Sequence, residues 1–242
     1  MSRVLIFIYG VVSYAIGLGG LVCFMLFMGS WDFLPVHIDS GSPGPIGPAL
    51  AINLALVAVF GLQHTPMARL AFKDLWITVI PKAAERSTYV MLSGILMIAL
   101  CLFWHTLNGT VWHVEHSVVR TAITIIQVLG WGFAVFASFL INHFELFGLQ
   151  QVYFNLIDEP EPSPDYTERS LYKLVRHPLQ LGFLIGMWST PTMTTTHFML
   201  SLTMTIYIFI GLHYEEKTLV ATLGEDYENY RKRVRMLLPI PK

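Results

Sequence analysis

The stretch VLIFIYGVVSYAIGLGGLVCFMLFM, residues Val4 to Met28, carries no charged side chain and decides the class of fold. It is longer than the roughly 20 apolar residues that a helix needs to cross about 30 Å of hydrocarbon. Arg3 precedes it, but the run is too long for a secretory signal and has no small-residue cleavage site before the next polar stretch. We interpret it as the first of several membrane spans.

The rest of the composition agrees with a membrane protein. The chain has 242 residues, of which 54% are hydrophobic and 13% charged, and its mean hydropathy is +0.57. Soluble domains carry about twice that share of charge. Six apolar segments can be marked, namely Val4–Met28, Ile46–Leu62, Tyr89–Trp104, Thr121–Ile141, Leu179–Ser189 and Phe198–Leu212. The predicted fold is an all-α, polytopic integral membrane bundle of five to six transmembrane segments, because the fifth segment is short.

Pro191 lies between the last two segments and predicts a C-terminal helical hairpin. Basic residues follow the second segment, at Arg69, Lys73, Lys82 and Arg86, and recur in the tail at residues 231–235. The positive-inside rule therefore predicts that these regions face the cytoplasm, in a bacterial-type inner membrane. The net charge of −1 argues against nucleic acid as a partner.

Five polar clusters fall at the ends of apolar segments on the predicted cytoplasmic face. They are QHTPMAR (Gln63–Arg69), ERSTY (Glu85–Tyr89), NHFE (Asn142–Glu145), RHP (Arg176–Pro178) and HYEE (His213–Glu216). Helix ends often carry polar residues, so any one cluster has an ordinary explanation. Five coincident clusters with four histidines and four glutamates instead predict one cytoplasmic cofactor pocket, since ionisable groups near a membrane core usually have a function.

The chemistry of this predicted pocket favours an organic cofactor over a metal. The histidines lack HExxH spacing, the two cysteines Cys23 and Cys101 lie in apolar runs, and no phosphate-binding glycine loop is present. Glu215 and Glu216 point about 100° apart on a helix, so they suit two donors of one polar ligand. Carboxylates, arginine and aromatic faces fit a ligand with ribose hydroxyls, an amino-acid end and a positive centre. S-adenosylmethionine is such a ligand, and no metal site is predicted.

RHPLQLG (Arg176–Gly182), the glutamate pair and GEDYENYRKRV (Gly224–Val234) resemble the C-terminal signature of the isoprenylcysteine carboxyl methyltransferase and phospholipid methyltransferase superfamily. With WSTPTMTTTH (Trp188–His197) and the upstream clusters, the chain resembles the membrane-bound methanethiol S-methyltransferases over most of its length. The nitrite and nitric oxide utilisation membrane proteins are related. The resemblance implies methylation of methanethiol by S-adenosylmethionine, which gives dimethyl sulfide and S-adenosylhomocysteine.

Carried over residue by residue, the resemblance also implies the cofactor-binding set Arg176, His177, Pro178, Gln180, Gly182, Glu215, Glu216, Tyr227, Tyr230 and Arg231. Three positions depart from the family pattern: Gln180 replaces a usual tyrosine, Thr196 a glycine and Arg235 a proline. The expected organisation is one integral membrane methyltransferase domain over residues 1–242. Residues 1–150 would supply the acceptor side and residues 170–235 the cofactor-binding hairpin and tail.

A thiol is a weak nucleophile until it loses its proton, so the catalytic candidates are groups that can take the proton or stabilise the thiolate. They are His64, Glu85, Arg86, His143 and Glu145, with Arg69 as a further cation. The sequence leaves open whether a base takes the proton or a cation stabilises the thiolate. The expected partners are a small thiol and the lipid bilayer, with no obligate protein partner. Alternatives are an isoprenylcysteine carboxyl or lipid methyltransferase, a non-enzymatic membrane protein of the nitric oxide utilisation type, and a proton-coupled transporter.

Overall fold

The computed structural model describes residues 2–31, 33–162, 168 and 170–239. Helices dominate this part of the chain, in agreement with the predicted class. The helices are α1 (Arg3–Met28), α2 (Ile46–Met67), α3 (Leu70–Trp76), α4 (Glu85–Phe103), α5 (Ser117–Ile141), α6 (His143–Leu146), α7 (Leu149–Ile157), α8 (Pro178–Trp188), α9 (Thr195–Leu223) and α10 (Glu225–Arg233). Two short strands, β1 (Thr110–His113) and β2 (Thr192–Thr194), and 3₁₀ turns at Lys82–Ala84 and Ser170–Lys173 complete the list.

The described residues form two compact units. The first unit comprises those within Met1–Leu107 and Asn142–Asp165, and the second unit those within Asn108–Ile141 and Tyr166–Lys242. The predicted cofactor-binding segment, residues 170–235, therefore lies within the second unit. The single domain expected over residues 1–242 stays a prediction.

Five helices among the described residues are long and apolar enough to span a membrane, which confirms the predicted helical membrane protein. They are α1, α2, α4 with the 3₁₀ turn before it, α5 and α9. At three of the polar clusters the helix runs beyond the apolar segment seen in the sequence: α2 continues from Leu62 to Met67, α4 starts at Glu85 and α9 continues from Leu212 to Leu223. The polar clusters at these positions are therefore extra helical turns of the spans.

The first unit is built around a close contact between α1 and α4. A Cβ atom at Gly94 of α4 would lie 2.5 Å from the carbonyl oxygen of Ile16, so only glycine lets the two backbones approach this closely. Small residues at such contacts are the usual way in which membrane helices pack. The helix α4 also packs on α2, and α7 packs on α1. These contacts hold the polar ends of α2 and α4 beside α6 and α7.

In the second unit, α8 packs against α5 and is only 11 residues long. A Cβ atom at Gly182 would lie 2.6 Å from the backbone nitrogen of Ala134, so this glycine serves the close packing of α8 on α5. At about 1.5 Å per residue α8 covers about 16 Å, roughly half of the hydrocarbon thickness. The fifth predicted segment is thus a helix too short to cross alone.

Non-helical residues 189–194 continue from α8 and end in β2, which pairs antiparallel with β1. The sequence analysis did not predict this two-stranded sheet. Because β1 precedes α5 and β2 precedes α9, the sheet places the starts of α5 and α9 at the same end of the second unit. The backbone N–H of Thr195 also donates to the carbonyl of Gly109 at 3.0 Å.

Backbone groups inside hydrocarbon need partners within the protein, and the end of α8 meets this need with buried side chains. The carbonyl of Met187 accepts hydrogen bonds from His197 Nε2 at 2.8 Å and from Ser201 Oγ at 3.1 Å. The carbonyl of Gly186 accepts one from Gln127 Nε2 at 3.1 Å. These three side chains are almost completely buried. They explain how a helix can end inside the membrane without unsatisfied carbonyls.

Candidate functional site

The centre of the second unit's polar site is a buried ion pair between Arg176 and Glu216. Arg176 donates to Glu216 Oε1 from Nε at 2.7 Å and from Nη2 at 2.5 Å. The side chains are 6% and 5% exposed. Both nitrogens contact the same carboxylate oxygen, and hydrogen bonds between two charged groups are stronger than neutral ones. The pair joins the segment before α8 to the far end of α9.

His177 and Pro178 place this pair at the start of α8. Pro178 is the first residue of α8, where its missing N–H and fixed φ favour helix initiation. The residue before a proline avoids the helical region, so His177 turns out of the helix and its ring reaches the glutamates. His177 Nε2 lies 3.1 Å from Glu216 Oε1, and Nδ1 lies 3.8 Å from Glu215 Oε2.

The two adjacent glutamates have different environments. Glu216 also lies 3.3 Å from Nε of Arg231, so its carboxylate contacts two guanidinium groups and an imidazole. Glu215, one residue earlier on the helix, has a side chain that is 48% exposed. The prediction that both glutamates serve donors of one ligand stays a prediction. The carboxylate of Glu216 is used in contacts within the protein, whereas the side chain of Glu215 is partly exposed.

The tail after α10 forms hydrogen bonds with the residues of this site that precede α8. The backbone N–H of Arg176 donates to the carbonyl of Arg235 at 2.9 Å, and that of His177 to the carbonyl of Met236 at 3.1 Å. Nη1 of Arg176 donates to the carbonyl of Val234 at 2.6 Å. The donors of Arg176 are thereby largely used within the second unit. This residue positions α8, α9 and the tail relative to one another.

Three phenols surround the ion pair. Burial, followed by the charge of Glu216, raises the pKa of Tyr227 to about 12. Burial also raises the pKa of Tyr230, whose hydroxyl donates to the carbonyl of Tyr172 at 2.6 Å. Burial and then the charge of Glu215 raise the pKa of Tyr172, whose own hydroxyl has no hydrogen-bond partner among the described residues. All three phenols remain protonated donors at neutral pH.

Tyr172 was missed by the sequence analysis. It is 9% exposed, and a buried hydroxyl without a partner costs about 1–3 kcal/mol. Such a group is a natural place for a ligand atom to bind. Its only sequence signal is its position in LYKLVRHP, four residues before Arg176.

The structure thus groups most of the cofactor-binding residues implied by the resemblance: Arg176, His177, Pro178, Glu215, Glu216, Tyr227, Tyr230 and Arg231. Gly182 instead lies at the contact with α5. Gln180 is half-buried on α8, one turn beyond the ion pair. Among the described residues no three His, Cys, Asp or Glu side chains are arranged to hold a metal ion.

The first unit contains a second polar group, centred on His64. Its Nδ1 lies 2.9 Å from Ser93 Oγ and its Nε2 lies 2.7 Å from the hydroxyl of Tyr89. The guanidinium of Arg86 lies 4.9 Å from the Tyr89 ring centroid, in cation–π geometry. Nε of Arg86 donates to the carbonyl of Leu146 at 2.8 Å. Two predicted catalytic residues, His64 and Arg86, are therefore joined through a tyrosine that the prediction did not include.

His143 lies in the same unit and is buried. Its Nε2 lies 3.0 Å from the hydroxyl of Tyr14, and its ring packs 4.7 Å from that of Phe147. Phe147 in turn packs against the buried cluster that contains Tyr89. Burial lowers the pKa of His143, so the imidazole is neutral at neutral pH and able to accept a proton.

The two predicted glutamates of this unit differ. Glu85 is buried at the start of α4, and its Oε1 has no partner within the described part of the chain. Glu145 is half-buried, and its Oε2 accepts a hydrogen bond from Asn142 Nδ2 at 3.2 Å. Asn142 also caps α6 through the backbone N–H of Glu145. The prediction that all five polar clusters line one pocket stays a prediction.

The described fold and sites define a polytopic helical membrane protein with a buried Arg–His–Glu cluster. The methanethiol S-methyltransferase of Mycobacterium tuberculosis is 40% identical to the chain over 241 residues, which cover 100% of this chain and 98% of the relative. That of Crocosphaera subtropica is 41% identical, over 99% and 93% of the two chains. The chain belongs to the methanethiol S-methyltransferase family, and is therefore a methyltransferase that needs a methyl donor.

A more distant relative is the nurim homologue of Drosophila pseudoobscura pseudoobscura, which is 27% identical over 78% of this chain and 76% of its own. No family model matches the chain. No solved structure matches it either.

Proposed function

We propose that the protein transfers the methyl group of S-adenosylmethionine to methanethiol, and releases dimethyl sulfide and S-adenosylhomocysteine. The family membership supports the reaction class. The observation that carries the cofactor assignment is the polar site of the second unit, in which a half-exposed carboxylate, Glu215, and an unpartnered buried hydroxyl, Tyr172, adjoin a fixed Arg176–Glu216 pair.

The residues present fit this cofactor. Its amino group and ribose hydroxyls are donors that suit the Glu215 carboxylate, and its own acceptors suit the phenolic donor of Tyr172. Arg231, with 44% of its side chain exposed, adds a cation for a carboxylate end. Arg176, His177 and Glu216 position these groups through the buried ion pair. Pro178 is the first residue of α8, and Gln180 and Tyr227 lie next to the ion pair.

When bound, S-adenosylmethionine supplies an electrophilic methyl group on a sulfonium. The chain must align the acceptor and keep water away, since displacement at a sulfonium needs little other chemistry. It must also raise the thiolate share of an acceptor whose thiol is largely protonated at neutral pH. We assign this task to the first unit's polar group, with His64 or neutral His143 as proton acceptor and Arg86 as the cation that stabilises the thiolate.

The orientation is part of the proposal. Lys and Arg residues follow α2 and dominate the tail after α9, and the positive-inside rule places both in the cytoplasm, where the cofactor is available. The Arg176–Glu216 pair lies about 32 Å along α9 from Thr195, beyond a hydrocarbon layer of about 30 Å. The sheet end of the second unit then faces the opposite side of the membrane.

The experiment that tests the proposal measures cofactor binding and acceptor choice separately. Purified protein in detergent is titrated with S-adenosylmethionine, and the saturated complex is then offered methanethiol, a prenylated cysteine methyl acceptor or an amine lipid. We expect saturable binding and turnover of methanethiol alone. Binding without methylation of methanethiol, together with methylation of a prenylated or lipid acceptor, would reject the acceptor assignment and keep the cofactor.

A further inference from the structure

The second unit contains an apolar groove that the proposed reaction does not use. Its volume is about 640 Å³. One wall is a stripe of α8 side chains at helical spacing, and the other walls come from α9 and from the tail. The principal lining residues are Leu181, Leu184, Trp188, Phe209, Arg235 and Met236.

The size of the groove does not match the proposed acceptor. Methanethiol has two heavy atoms, whereas sites of roughly 300–1,000 Å³ hold ligands of drug size. The lining is apolar except for Ser189 at the end of α8 and the exposed residue Arg235, which is its only charged member among the described residues. A ligand with a long hydrocarbon part and a single anionic end therefore fits the groove better than a small volatile thiol does.

The depth of the groove matches one leaflet of a bilayer. The stripe follows α8 from Leu181 to Trp188, and α8 covers about 16 Å, close to half of the roughly 30 Å hydrocarbon layer. Arg235 is held at the start of α8 because its carbonyl accepts the backbone N–H of Arg176 at 2.9 Å. The cation thus lies at the headgroup level, while Trp188 lies about one leaflet deeper.

We propose that this groove binds one phospholipid with an anionic headgroup. One acyl chain lies along the α8 stripe, and the phosphate lies at Arg235. Charge complementarity favours an anionic lipid, because one Arg or Lys near the membrane surface contributes about 1 kcal/mol toward it.

Lipid binding at this place also bears on the polar site. Two of the four tail residues that line the groove, Arg235 and Met236, are those whose carbonyls accept the N–H groups of Arg176 and His177. A lipid that fills the groove therefore stabilises the tail against α8, and with it the Arg176–Glu216 pair. This inference does not depend on the identity of the methyl acceptor.

The test uses the full-length protein, delipidated in detergent, with phosphatidylglycerol or phosphatidylcholine of the same acyl chains added back. Native mass spectrometry measures bound lipid, and a thermal unfolding scan measures stabilisation. We expect tighter binding and a larger rise in Tm with phosphatidylglycerol. Arg235→Gln should weaken phosphatidylglycerol binding about fivefold, the equivalent of ~1 kcal/mol. The matched control Lys232→Gln removes an exposed cation that contacts Asn229, and should leave binding unchanged.

A second variant tests the apolar part of the groove. Leu184→Trp fills it, and we expect fewer bound molecules of either lipid; if this variant fails to fold, the Arg235→Gln comparison still decides. Equal stabilisation by the two lipids, or an unchanged affinity in Arg235→Gln, would overturn the proposal. So would the same stabilisation by inorganic phosphate alone, or a dimer in lipid-free detergent whose formation Leu184→Trp abolishes.

Discussion

The two adjacent glutamates should respond very differently to the same substitution. Glu216→Gln removes the negative charge that faces a guanidinium whose side chain is only 6% exposed. Breaking a buried ion pair by neutralising one partner typically costs about 3–5 kcal/mol, because the other charge stays buried without compensation. For a chain of this length that loss corresponds to a fall in Tm of roughly 6–20 °C.

Glu215→Gln should instead affect the methyl donor. The Glu215 side chain is 48% exposed and lies 3.8 Å from His177, a distance at which an ion pair contributes at most about 1 kcal/mol. If the carboxylate accepts hydrogen bonds from the cofactor, its loss costs about 1.5–3 kcal/mol of binding, or roughly a 10- to 150-fold rise in KM.

The assay compares thermal unfolding and cofactor titration for the two variants, purified in the same detergent and lipid. We expect a large loss of Tm in Glu216→Gln and a large loss of cofactor affinity with near-normal Tm in Glu215→Gln. Two results would refute this division of roles. One is a Tm for Glu216→Gln within about 2 °C of the Tm of the unaltered protein, and the other is a cofactor affinity for Glu215→Gln equal to that of the unaltered protein.

Three further outcomes are expected. Tyr172→Phe should raise the KM for the methyl donor about three- to tenfold with little change in Tm, because its hydroxyl has no partner in the described structure; an unchanged KM would argue against a ligand there. His197→Ala should lower the Tm by about 2–8 °C, since the Met187 carbonyl keeps only Ser201, whereas Thr218→Ala serves as an exposed control. Burial lowers the pKa of His143, so the contribution of its neutral ring to stability is present above about pH 6.5 and is lost as the pH falls through the lowered pKa. Between about pH 7.5 and about pH 5.5, His143→Gln should therefore lose less Tm than the unaltered protein in thermal unfolding scans. An equal loss of Tm in both proteins would contradict the assignment.

The membrane spans were predictable because apolar length is a one-dimensional signal. The same signal stops short of the polar turns of α2, α4 and α9, since hydropathy falls where charge begins, although the helix continues. The β1–β2 sheet was missed for a related reason. Its strands are four and three residues long and pair across 79 to 84 positions of sequence, so no local pattern shows them.

The polar site was predictable in its membership and less so in its roles. A motif shows that Arg176 and Glu216 belong together, but only their burial shows that they position the site. Tyr14 and Ser93 gave no signal, and Tyr89 and Tyr172 were not assigned a role, because a hydroxyl inside or beside an apolar helix is a common packing residue until its partners are known. Their hydrogen bonds, or the lack of one, depend on contacts between distant segments.

The most direct test of the account is transfer of a labelled methyl group. Purified protein is incubated with methyl-labelled S-adenosylmethionine and methanethiol, and volatile label is followed beside Glu215→Gln, which keeps the buried ion pair intact. We predict labelled dimethyl sulfide that falls at least tenfold in the variant at subsaturating cofactor. Cofactor that binds to the unaltered protein but yields no volatile label would contradict the proposed reaction.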